Sequence, residues 1–208
     1  MSSPLKGVQP GDVCSLRYSM TQSVYDALET ATKNLDVVTQ KEVLKFIRKM
    51  TGNLRAKTGP RPCIFLKDER NALSIALMAT FEGGEFEALH DLYRKYCIPI
   101  FPTARPNNNL RGTDPIPIDD TPLVLTPVWS SGSKAAWVFA YPISIPRTSR
   151  LSRWTKRNKW GVGTQWHVEK PELTRFTLVT DATERSFAQN AVDIPKMVVD
   201  FAVSQHAA

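Results

Sequence analysis

The sequence predicts an α+β fold: a helical N-terminal half, a proline-rich connection, and a β-rich C-terminal half that carries a terminal helix. Three observations support this. Apolar residues recur at helical spacing in the first hundred residues. Seven of the 29 residues from 99 to 127 are proline. β-Branched and aromatic residues crowd the segments beyond residue 123. The chain divides accordingly into a helical region at 1–98, a proline-rich arm or linker at 99–127, and a β-rich region with a C-terminal helix at 128–208. Its 208 residues fit one compact unit.

The first helix is marked by Val24, Leu28, Ala31 and Leu35, which share one face. Thr39-Gln40-Lys41-Glu42 has the form of a capping box, in which the Thr hydroxyl takes an early N–H and the Glu reaches back. It introduces a second helix with Val43, Leu44, Phe46, Ile47 and Met50, and Gly52 is placed to stop it. Asp68 is a candidate cap for a third helix through Leu73, Ile75, Ala76, Leu77 and Met78, broken by Gly83-Gly84. Residues 85–96 read as a fourth, with Phe86, Leu89, His90 and Tyr93 on one face and charges matching the helix dipole.

The proline-rich stretch, with Asn107-Asn108-Asn109 at its centre, reads as an extended arm, because proline fixes φ and removes ladder donors. An arm of this kind suits a place against a neighbouring subunit. Strands are expected at 123–125, 135–145, 164–168 and 174–180. In the second of these Trp137, Phe139 and Tyr141 share one parity and give an aromatic face. A final helix is expected from Asp181 or Thr183 through Phe187, Ala191 and Ile194, with Pro195 ending or kinking it. Residues 197–203 fit a helical turn or a strand equally.

Charge is distributed unevenly. The chain nets +7, and residues 121–168 alone account for all of it, with seven Lys or Arg, no Asp or Glu, and all five tryptophans. The remaining residues carry twenty basic and twenty acidic groups, so the basicity is local and points to an anionic partner. Arg147, Arg150, Arg153, Lys156 and Lys159 are spaced by three, with Arg157 added. Trp154, Trp160 and Trp166 are spaced by six. A step of three smears around an α-helix and alternates faces on a strand, so only a three-per-turn extended chain aligns these cations. Pro146, Gly161 and Gly163 fit an exposed loop or hairpin here.

Arginine forks match phosphate oxygens and indoles offer π-faces to unpaired bases, so this pattern suits single-stranded nucleic acid, RNA above all. The expected binding residues are Arg147, Arg150, Arg153, Trp154, Lys156, Arg157, Lys159 and Trp160, with Trp129 and Trp137 structural. A second basic face is formed by Lys41, Lys45, Arg48 and Lys49, opposite the apolar side of their helix. The function expected is a nucleic-acid-binding structural protein, a self-associating coat or nucleocapsid-type subunit of a virion. A peripheral matrix-type protein on anionic membrane is the first alternative. A metal-dependent nuclease using Asp114, Asp119 and Asp120 with Glu169 and Lys170 is the second.

Cys14, Cys63 and Cys97 are odd in number and widely spaced, which suits a reducing compartment, cytosol or nucleus, rather than a disulfide framework. His90, His167 and His206 have no ligand spacing, no nucleotide-binding or hydrolase motif occurs, and no cofactor or metal is implied. No secretory signal or membrane-spanning run is expected, the most apolar run being the seven residues 135–141.

Overall fold

The computed structural model describes residues 7–52, 59–81, 85–103, 119–130, 134–157, 163–189 and 193–207. The fold is α+β. Its centre is an antiparallel sheet of β1 (Val13–Arg17), β2 (Pro60–Asp68), β3 (Ala72–Ala79), β4 (Cys97–Pro99), β5 (Trp137–Phe139), β6 (Ile143–Pro146) and β7 (Ser152–Arg153). β5 and β6 lie end to end along β3, through Ala79↔Trp137 at one end and Leu73↔Ile145 at the other. Pro142 separates them, where a missing N–H interrupts a ladder. β4 borders β5 on one edge. β2, β1 and then β7 extend the other.

The sheet thus draws strands from both halves of the chain, four of them before residue 100. The expected helix after Asp68 is β3. Its run Leu-Ser-Ile-Ala-Leu-Met is buried on both faces, so the hydropathy alternation that marks a half-exposed strand is missing. The reverse difference occurs at 174–180, expected as a strand and found inside α4 (Lys170–Gln189). Phe176, Val179, Thr180, Thr183 and Phe187 are its buried residues and fall at i, i+3, i+4, i+7 and i+11, a helix stripe. Its threonines stay helical by turning their hydroxyls onto earlier carbonyls, Thr177 to Leu173 at 2.8 Å and Thr183 to Val179 at 2.9 Å.

The remaining helices are α1 (Met20–Ala31), α2 (Val37–Thr51), α3 (Asp91–Tyr96) and α5 (Ile194–Ala207). Ser19 caps α1, accepting from Thr21 N at 3.1 Å. Asp36, rather than Thr39, caps α2, accepting from Val38 N at 3.0 Å and Thr39 N at 3.1 Å. A carboxylate satisfies these donors and the helix dipole together, so the helix begins before the expected capping box. Gly52 follows the last turn in right-handed geometry, so it ends α2 without the left-handed stop expected of it. The expected helix at 85–96 splits into a single turn at Phe86–Ala88 and α3. Pro195 begins α5 rather than ending a helix, at a position in the first turn where no N–H is needed. Residues 123–125 form isolated bridges only, and Gly83-Gly84 lie outside the described residues.

Strand parity sorts the core into two layers. Cys14, Leu16, Cys63, Phe65, Leu73, Ile75, Leu77, Phe139 and Tyr141 face α1, α2, α5 and the end of α4. The aromatic face expected of Trp137, Phe139 and Tyr141 lies here, with Trp137 stacked on Phe86 at 3.9 Å. Val13, Ile64, Ala76, Met78 and Val138 face the other way, under Leu123, Leu125, Trp129, Trp166, Val168 and the start of α4. One side of the sheet is therefore covered by helices. The other is covered largely by irregular chain.

Candidate nucleic-acid interface

The basic segment leaves β6 at Pro146, where Ser149 N donates back to the Pro146 carbonyl at 2.8 Å. It passes from the β3 side of the sheet to the far edge, where β7 pairs with β1 through Cys14↔Arg153. The chain then forms a hairpin of β8 (Thr155–Arg157) and β9 (Gly163–Gln165) beside the loop-covered face. This agrees with the loop or hairpin expected from Pro146, Gly161 and Gly163, but the β-strands here are not the three-per-turn chain that would align the cations. Gly163 lies under the Thr155 side chain, whose Cβ is 3.5 Å from the position an added Cβ would take.

The cations in this segment are not equivalent. Arg147 donates to Asp68 at 2.7 Å, in an ion pair at the end of β2. Arg153 donates through Nε to Asp12 at 3.1 Å and through Nη1 to Gln165 at 3.0 Å, tying β7 to β1 and to the hairpin. Asp12 is only 5 % exposed, so this pair is structural before it is anything else. Arg150 stands exposed on the turn between β6 and β7. Lys156 and Arg157 lie on β8, with side chains outside the described ones; Lys159 and Trp160 lie outside the described residues altogether.

Trp154 is half-buried. Its backbone N–H donates to the Val13 carbonyl at 2.8 Å, and its ring packs on the loop-covered layer. It lines the rim of a pocket of about 500 Å³ with Trp129, Trp166, Met78, Ala136 and Lys134. Trp129 and Trp166 are tilted at 58° with centroids 4.8 Å apart, and the indole N–H of each is buried without an acceptor. The local sequence explains the opening. The β2–β3 ladder stops at Cys63↔Leu77, next to Pro62, which has no N–H to donate. Pro60 and Pro62 then form one side of the pocket and Ala79 and Thr80 another.

Trp129, expected to be purely structural, is thus both buried and part of a wall. Trp166 and Lys134 complete that wall although neither stands among the expected binding residues. The one signal for all three was membership of residues 121–168; nothing in their spacing shows that they meet. Trp137 is core, as expected.

Lys41, Lys45, Arg48 and Lys49 are exposed along the outer side of α2, opposite Val43 and Ile47. Because those two residues join the helical layer, this second basic face lies across the sheet from the tryptophan pocket. The structure does not bring the two sets together.

Two of the carboxylates weighed as a metal site, Asp119 and Glu169, are otherwise engaged. Asp119 pairs with Arg175, which also donates to Glu172 at 2.8 Å and to the Pro122 carbonyl at 3.4 Å. Glu169 lies 2.8 Å from His167, Asp120 is exposed, and Asp114 is outside the described residues. Among the described residues no group of three or more His, Cys, Asp or Glu is placed to hold a metal. The three thiols are buried. Burial, then the Asp12 carboxylate, pushes Cys14 up to about 12, and burial also raises Cys63 well above its ordinary range. Among the described residues no helix is long and apolar enough to cross a membrane. No family model, curated protein or solved structure matches the chain.

Proposed function

We propose that this protein is a nucleic-acid-binding structural protein, a coat or nucleocapsid-type subunit that packages single-stranded RNA through its basic, tryptophan-bearing segment. The observation that carries the reading is the coincidence of charge and shape. The segment with the largest net positive charge runs along the sheet edge as an extended chain and hairpin, with Trp154 lining an indole-bearing pocket. Cations beside exposed aromatic faces are the chemistry single strands require: phosphates meet the former and unpaired bases the latter. Duplex RNA presents no unstacked bases, so single strands are preferred.

The test is to measure the absorbance ratio at 260 and 280 nm and the particle size of the purified protein at low and high salt. Filter binding of RNA is measured alongside. Co-purifying RNA in large particles that fall apart at high salt is the expected result. No RNA binding at low salt overturns the reading. So does binding to anionic liposomes that competing RNA does not displace, or magnesium-dependent cleavage of the RNA.

A further inference from the structure

We infer that the pocket between Trp129, Trp154 and Trp166 seats one unpaired nucleobase of the bound strand, while the cations of the adjoining segment hold the flanking phosphates. This rests on the single-strand reading above and assigns it a site. Three features of the pocket support it, none of which is the charge count.

The first is the wall. Three indoles from three separate places in the sequence converge on one opening, over a floor that includes Met78 and Ala136. Flat π-faces and small apolar groups complement a planar heteroaromatic ring. At about 500 Å³ the pocket falls within the usual span for a site holding a single small ligand, roughly 300–1,000 Å³.

The second is the polar lining. The indole N–H groups of Trp129 and Trp166 are sealed from solvent, so polar contact with a ligand falls to other side chains. Ser130, Thr80 and Thr155 add hydroxyls, which donate or accept, around the same opening.

The third is the surrounding charge. Lys134 lies at the pocket, and Trp154 is followed in sequence by Lys156 and Arg157, on a strand whose hairpin partner returns to Trp166. A neutral planar group in the pocket therefore has cations on the chain leading away from it, which matches a base on a phosphodiester backbone. The opening is built into the fold by Pro62, which stops the β2–β3 ladder.

The chemistry shared by RNA and a free nucleotide is a base with a phosphate, and the probes separate the two. The full chain is titrated, with tryptophan fluorescence as readout, against oligouridylate, an abasic oligonucleotide of the same length, and uridine monophosphate. Trp154→Ala, Trp154→Phe and Arg150→Ala are compared with the natural chain. Losing one stacked base predicts that oligouridylate binds Trp154→Ala about 5- to 150-fold more weakly, with the salt dependence unchanged. Trp154→Phe keeps most of the affinity. The abasic strand binds the natural protein as weakly as oligouridylate binds Trp154→Ala, a comparison that decides the matter even if a variant fails to fold. Equal affinity of the natural protein for the two strands, both binding well, overturns the base seat and leaves RNA binding standing. No binding of either strand at low salt overturns both. Uridine monophosphate binding as tightly as the strand makes this a free-nucleotide site and overturns the seat on RNA.

Discussion

The salt dependence of RNA binding measures how many cations of the basic segment meet phosphates. For a single strand, log K falls with log salt at about −0.7 per phosphate neutralised, so all seven cations of residues 121–168 give a slope near −5. The structure lowers that figure. Arg147 is paired with Asp68 and Arg153 with Asp12, so the slope falls short of that figure, to about −3.5 where both pairs persist. The two engaged arginines differ in turn. The Arg147–Asp68 pair is exposed and worth little, whereas Arg153 answers a carboxylate whose side chain is only 7 % exposed. Arg150→Ala is therefore expected to flatten the slope by about 0.7, while Arg153→Ala leaves it unchanged and lowers the melting temperature. Stranding a buried charge costs about 3–5 kcal/mol when burial is complete; with Arg153 itself 38 % exposed, about 1–2 kcal/mol is the figure to expect. Filter binding of oligouridylate between roughly 50 and 200 mM salt gives the slopes, and thermal unfolding gives the stability. A natural slope of −5 or steeper, or equal flattening by the Arg150 and Arg153 variants, refutes this reasoning.

Three further outcomes follow from groups away from the pocket. The hydrogen bond from Arg175 holds the Glu172 carboxyl below its usual range. The stability it lends is therefore present above the unfolded value of about 4.3 and lost as pH falls through the lower folded value; Arg175→Met should flatten the acid limb of the stability–pH curve there. His90 caps α3 by accepting from Leu92 N through Nδ1 at 3.2 Å, and burial holds its pKa below the ordinary 6.5. Stability should thus be full above pH 6.5 and decline as pH falls through the depressed folded value. His90→Asn should keep the cap and remove that decline in thermal melts. Finally, the three buried thiols should resist a thiol-specific dye in the native protein at pH 8 and all react on denaturation; rapid native labelling would contradict their placement.

Local signals located α1 and α2 and misassigned β3 and part of α4. α1 and α2 each bury one stripe, and their apolar spacing shows in the sequence. β3 is buried on both faces, so Leu73 to Met78 carries no period, and Asp68 at its head looks like a cap. In α4 the composition of 174–180 favours a strand; helix is decided by tertiary contacts of Phe176 and Phe187 with the two core layers, which only the fold brings together. The site was legible to a similar degree. Charge and indole content singled out residues 121–168, and the hairpin within them followed from their glycines. Pairing of Arg153 with Asp12, 141 residues away, was beyond reach of the sequence, as was the meeting of Trp129, Trp154 and Trp166 in one wall.

The two basic surfaces also bear on how the protein meets its ligand. Lys41, Lys45, Arg48 and Lys49 point away from the sheet on the outer side of α2, and the hairpin and pocket belong to the opposite face. A helix about 10 Å across and a sheet-to-layer spacing of about 10 Å lie between them, whereas charges are screened over about 8 Å at physiological salt. The two surfaces therefore act independently, and neither strengthens phosphate binding at the other. On the proposed reading, one short strand is expected to occupy the hairpin face alone. Replacing all four α2 cations by alanine should then leave the affinity and salt slope of a short oligonucleotide unchanged. A long RNA that turns around the sheet edge would lose affinity in that variant and in Arg150→Ala by amounts that add. Additive effects on long RNA, with no effect of the α2 variant on short RNA, are what this geometry requires. Loss of short-strand binding in the α2 variant would place the interface on the wrong side of the sheet.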